Sequence, residues 1–224
     1  MKTGLHPTTP LSHSKERFLI LICLILGTIV LVPILKGFAA LRIFLDIFIT
    51  AIYISMVYTV SHKKRHLYIG VLLAMAMLIS LWLQYFQQSN LVFAIGRICG
   101  ILLLIMVIIN TLAFIFKSED VTIEVIYAAM LVYLLMAFMW SFVYVLLVLI
   151  NSASFNVALN PGQSYQMRFI YYSFVTITTL GYGDITPATE LASSFSILEA
   201  VVGQLYLVVV VARLVGMHVS SQSR

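Results

Sequence analysis

Six long apolar runs, separated by short stretches that hold most of the charge, leave this chain few folds to choose from. They cover Phe18 to Leu35, Gly37 to Val60, Leu67 to Phe86, Leu91 to Phe116, Val121 to Ile150 and Leu191 to Val219. Even the shortest, coiled into a helix, reaches about 27 Å, enough to cross a hydrocarbon layer. A closed barrel needs short alternating segments, whereas these runs are continuous, so helices are expected. With 62% hydrophobic and 9% charged residues in 224, the apolar surface exceeds what a water-soluble globule of this size can hide. The expected class is an all-α membrane protein with six transmembrane helices. The first run follows a basic stretch but is longer than a typical signal h-region, and no small-x-small pattern follows it, so cleavage is not expected.

Orientation follows from the basic residues. Lys2, Lys15, Arg17, Lys63, Lys64, Arg65, Lys117, Arg213 and Arg224 fall on one side, against Lys36, Arg42, Arg97 and Arg168 on or towards the other. That asymmetry puts both termini in the cytoplasm, with Gln87 to Asn90 and the connection Asn151 to Glu190 outside. The net charge of +5 therefore reports topology and anionic lipid contact, not nucleic acid. Cys23 and Cys99 lie inside apolar runs without His or Cys neighbours at ligand spacing, which reads as packing instead of a disulfide or a metal site.

The last connection is long, yet its middle, Met167 to Leu180, is apolar and aromatic. Too short to span, it is expected to dip into the membrane and return on the same side. Non-helical backbone is tolerated at that depth only where protein buries it or where it lines a water-filled path. Ser173 to Thr179 continue a short helix that ends where Gly181 and Gly183 appear, so the negative end of a helix dipole faces the following strand and favours a cation. The two glycines can take positive φ and turn successive carbonyls to one side.

Thr178, Thr179, Leu180, Gly181, Tyr182, Gly183 and Asp184 closely resemble the selectivity filter of tetrameric potassium channels. The resemblance implies a homotetramer in which Thr179, Leu180, Gly181, Tyr182 and Gly183 form the ion-binding filter. It places K+ at the carbonyls of Thr179, Leu180, Gly181 and Tyr182, with the Thr179 hydroxyl making the innermost site. It also assigns filter support to Thr178, Asp184, Tyr171 and Tyr172: Tyr182 packs behind the strand, and Asp184 bonds to an aromatic cuff in which tyrosines stand where the family often has tryptophans. Leu180 departs from the usual Val or Ile, a change of packing and not of ion choice.

In the last run, Gly203 stands where the family's inner helix commonly bends for gating, or it is a small residue for close packing. Glu199 either faces an aqueous vestibule or pairs behind the filter. The fourth run holds one basic residue, Arg97, which fits a structural ion pair with Asp46, itself within reach of Arg42, better than a voltage sensor. Lys117, Ser118, Glu119, Asp120 and Glu124 read as an interfacial turn. The five histidines, and Met136, Met139 and Trp140 of the fifth run, read as surface and packing residues.

The expected organisation is a cytoplasmic N-terminus (1–17), a four-helix transmembrane bundle (18–117), a pore domain (118–219) and a cytoplasmic tail (220–224). With no catalytic constellation or phosphate loop, the chain reads as a passive potassium channel of a bacterial plasma membrane. It is expected not to be an enzyme, and to need no cofactor beyond the transported K+. A non-selective cation channel, a cation-transporter subunit and a non-conducting regulatory subunit are the alternatives.

Overall fold

A computed structural model describes residues 12–34, 50–57, 64–83, 89–157 and 165–222. Seven helices account for nearly all of them: α1 (Ser12–Ile34), α2 (50–57), α3 (Lys64–Leu83), α4 (Asn90–Lys117), α5 (Ile123–Ile150), α6 (Tyr165–Ile177) and α7 (Glu190–Gln222). Among the described residues, four helices are long and apolar enough to cross a membrane: α3, α4, α5 and α7. Most of the second expected run, with Lys36, Arg42 and Asp46, lies outside the described residues, as does the tail 1–11.

α5 is the hub of the fold. It packs against α1, α4, α6 and α7, and 61% of it is buried within the chain against 22% of α7. Its sequence is apolar all round, as a helix surrounded by others must be. α7 instead leaves one apolar face open, including Leu198, Val201, Leu205 and Val208.

Polar residues set the helix ends. Thr122 caps α5 by accepting from the Val125 N–H at 3.4 Å, and Glu124 in the first turn complements the helix dipole. Thr189 does the same for α7 through the Ala192 N–H at 3.3 Å. Two short strands not foreseen in the sequence tie the flanks of α6 together. β1 (Phe155–Asn156) pairs antiparallel with β2 (Thr186–Pro187), Phe155 opposite Pro187 and Asn156 opposite Thr186. The Ala188 N–H extends the tie to the Ser154 carbonyl at 2.8 Å. Two residues per strand are too few to show as an alternating pattern.

The C-terminal end of α4 is closed from a distance. Nη2 of Arg213, on α7, donates to the carbonyls of Phe116 at 2.6 Å and Ser118 at 3.1 Å, and its Nε to that of Ile115 at 3.4 Å. The guanidinium also lies 5.2 Å from the Phe116 ring centroid. A cation at the carbonyl end of a helix is favoured by the dipole, and this one supplies donors that α4 lacks. Arg213→Ala should therefore destabilise the fold by about 1–3 kcal/mol. For a chain of this size that lowers the melting temperature by several degrees, measurable by thermal unfolding in detergent. An unchanged midpoint would show that the contact contributes nothing.

Candidate functional site

α6 is held from three sides. Its buried face carries Phe169, Ile170, Tyr172, Ser173, Val175 and Ile177. From α5, Phe138 meets Phe174 edge to face at 5.9 Å, Tyr133 donates its hydroxyl to the Ile177 carbonyl at 3.0 Å, and Ser141 accepts from Gln166 at 3.0 Å. From α7, Ser196 shares a hydrogen bond of 2.7 Å with the Tyr172 hydroxyl. Aromatic rings of Tyr144, Phe155, Phe169 and Tyr172 cluster around the outer half of the helix.

The helix stops at Ile177, two residues before the end expected from the sequence, and the reason is local. The Leu180 N–H reaches back to the Val175 carbonyl at 3.0 Å while the Thr179 N–H reaches the Thr176 carbonyl at 3.0 Å. That crossed pair is a Schellman motif, which requires a left-handed residue in the position Thr179 occupies. Thr179 adopts it, with φ 57°. Glycine is usual there; a β-branched residue in this region costs on the order of 1–3 kcal/mol. The sequence reading assigned positive φ to the two glycines alone and missed the threonine.

Beyond the helix the sign of φ alternates. Thr179, Gly181 (58°) and Gly183 (77°) are positive, and Leu180 and Tyr182 are not. Such alternation turns successive N–H groups to one side and, by complement, successive carbonyls to the other. The Leu180 and Gly181 N–H groups both point back to the Val175 carbonyl, at 3.0 and 3.2 Å. The carbonyls of Thr179, Leu180, Gly181 and Tyr182 accept no hydrogen bond from the described residues. The hydroxyl of Thr178 donates to Phe174 O at 2.6 Å, and that of Thr179 to Thr178 O at 2.7 Å.

The expected supports separate into two groups. Tyr171 stacks on Tyr182 at 6.5 Å with the rings 13° from parallel, and the Asp184 carboxylate lies near its hydroxyl, so these three stand together beside the glycine segment. Tyr172 points the opposite way, into the buried cluster and Ser196. The two tyrosines, neighbours in sequence, therefore do different work.

Glu199 has no solvent exposure. It does not face a vestibule: its carboxyl lies between α5 and α6, hydrogen-bonded to Tyr144 and Ser173. Gly203 is pressed against the end of α6, where an added Cβ would fall 2.5 Å from Ile177 Cγ1 and 3.3 Å from its carbonyl oxygen. Close packing thus explains this glycine without a bend. The sequence reading singled out Glu199 but not its partners. The available signal was polar residues at helical spacing in apolar spans: Ser141 and Tyr144 on α5, Ser196 and Glu199 on α7.

Arg97 sits over the rings of Phe93 at 4.5 Å and Phe142 at 5.1 Å. Its expected partner, Asp46, lies outside the described residues, as does Arg42, the second basic residue within reach of Asp46. Cys23 and Cys99 are free thiols.

Residues 120–219 match the family model described as Ion channel. This segment is similar to ion channels. The match begins just before α5, takes in α6 and the glycine segment, and ends within α7; α1 to α4 lie outside it. The family expected from residues 178–184 is borne out at the level of ion channels. No curated protein matches the chain. Within the matched segment, α5 and α7 are apolar helices of spanning length, and α6 is a short third helix packed against both.

Proposed function

We propose that four copies of the chain surround one axis and conduct K+ passively through residues 179–183. The observation that carries this reading is the row of carbonyls from Thr179 to Tyr182. They accept no hydrogen bond from the described residues and follow an alternation of φ that directs them to one side. Residues 178–184 are exposed in the single chain; in an assembly that buries them these oxygens need partners, and four such rows would offer a dehydrating K+ rings of oxygen in place of its water. The C-terminal end of α6 adds its negative dipole to the same place. Asp184, beside Tyr171, would stand at the outer mouth and draw cations inward. The open apolar face of α7 fits contact with the other copies and the inner pathway.

On this reading residues 118–219 are the pore domain and 18–117 a front bundle of four helices, with both termini cytoplasmic in a plasma membrane. Strong voltage dependence is not expected. A single charge crossing the whole field supplies only about 2.3 kcal/mol per 100 mV, and Arg97 is packed on two aromatic rings.

Purified protein in planar bilayers tests the proposal. Ohmic steps reversing at the K+ equilibrium potential are expected in opposed Na+ and K+. Reversal near zero would make it a non-selective cation channel. Silence under all ionic conditions would make it a regulatory subunit.

A further inference from the structure

The hydrogens around Glu199 can be counted. Ser173 Oγ carries one hydrogen, yet it lies against two oxygens: the Ala137 carbonyl at 2.7 Å and Oε1 of Glu199. The carbonyl can only accept. An ionised carboxylate can also only accept, so one of those two contacts would then have no hydrogen in it. A neutral carboxylic acid removes the conflict. Tyr144 donates to Oε2 of Glu199, the acid hydrogen on Oε1 goes to Ser173, and Ser173 donates to Ala137. The bonds then run in one direction, from α5 to α7 to α6 and back to α5, with an acceptor for every hydrogen.

The surroundings agree with the count. Glu199, Tyr144 and Ser173 are each 0% exposed, and an isolated carboxylate so placed is far more costly than a hydrogen-bonded neutral acid. The titratable groups facing the site are tyrosines: Tyr144 and Tyr133 from α5, and Tyr172 from α6, whose hydroxyl is engaged by Ser196. The side chains that act on the carboxyl are Tyr144 and Ser173, both uncharged hydroxyls.

We infer that Glu199 is held as a neutral carboxylic acid and is a positioning residue. It fixes the seating of α6 and, through α6, the carbonyl row of Thr179 to Tyr182. The protonation state stands on the hydrogen count alone, while its consequence for ion choice rests on the conduction reading above.

Infrared spectroscopy of the purified protein at neutral pH separates the two. Wild type should show the carbonyl stretch of a protonated carboxylic acid, absent from Glu199→Gln. Ser173→Ala, which removes the acceptor without touching the acid, should move that band to higher frequency. The Gln amide can donate to Ser173 and accept from Tyr144, so Glu199→Gln should melt and select ions like wild type. Glu199→Leu leaves the buried Tyr144 hydroxyl without its acceptor and Ser173 without its donor, and should melt several degrees lower, its reversal potential moving towards zero. If Glu199→Leu does not assemble, Ser173→Ala carries the selectivity measurement, and an unaltered reversal potential in it overturns the positioning role. The absence of any acid band that depends on residue 199, or a Gln variant as damaged as the Leu variant, overturns the neutral acid. A band that behaves as stated in a protein that passes no current leaves the acid standing and removes the conduction reading.

Discussion

If the chain conducts K+ as proposed, Gly181→Ala should reduce that current below detection at unchanged protein levels. The added methyl group meets nothing within 4 Å among the described residues, so crowding inside the subunit is not the cause. The cost is conformational. At φ 58° an L-residue with a Cβ is disfavoured by about 1–2 kcal/mol. In the proposed fourfold ring the penalty applies once per copy, roughly 4–8 kcal/mol for an assembly in which all four carbonyls must keep their direction. At 1.4 kcal/mol per factor of ten, that displaces the conducting arrangement by on the order of a thousandfold or more. Gly216→Ala is the matched control: an added Cβ there also meets nothing, but its φ is ordinary. Equal currents from wild type, Gly216→Ala and Gly181→Ala would show that the hand of the backbone at 181 is irrelevant to conduction.

The second large effect is expected at Gly203, where the cost is steric. A methyl group here needs the space that Ile177 fills, and Ile177 is itself fully buried, with its carbonyl held by Tyr133. Overpacking of this kind costs about 1–3 kcal/mol, and relief would have to come from the last turn of α6, immediately before the carbonyl row. Gly203→Ala should lower the melting temperature and broaden ion selectivity together. Ile177→Ala alone creates a cavity and destabilises by about 2–5 kcal/mol. The double substitution should fall short of the sum by about 1 kcal/mol or more, because each change supplies what the other lacks. A glycine retained only for bending predicts additivity, with altered gating and no thermal coupling to Ile177. Additivity within about 0.5 kcal/mol would refute the packing account.

Much of this was legible in the sequence because the relevant physics is local or periodic. The apolar runs matched α3, α4, α5 and α7 within three residues at each end, since hydropathy over some twenty positions overrides local noise; α1 starts six residues before its run, through the polar stretch from Ser12 to Arg17. Gly181 and Gly183 announced positive φ because only glycine takes it freely. Thr179 did not, since nothing in its own side chain foretells the left-handed region; the Schellman bonds to Val175 and Thr176 impose it. The partners of Glu199 were hidden for another reason. Tyr144 and Ser173 lie 55 and 26 residues away in sequence, and their meeting depends on how three helices rotate against one another. The contrast between Tyr171 and Tyr172 is of the same kind: successive helical residues point about 100° apart, but which one faces the glycine segment is decided by the packing of α6. Arg213, read only as a topological charge, turned out to close α4 across 95 to 98 residues of chain.

The threonine at 179 biases what the segment does when its supports loosen. A glycine would rest almost equally in either hand, so releasing it would produce random flicker. Threonine returns preferentially to the right-handed region, so loss of the two back-bonds would rotate the adjoining peptide planes in one direction. In the proposed assembly the Thr179 oxygen, its innermost, would then leave the row ahead of its neighbours. Failure of the row would begin at its inner end and proceed in a fixed order.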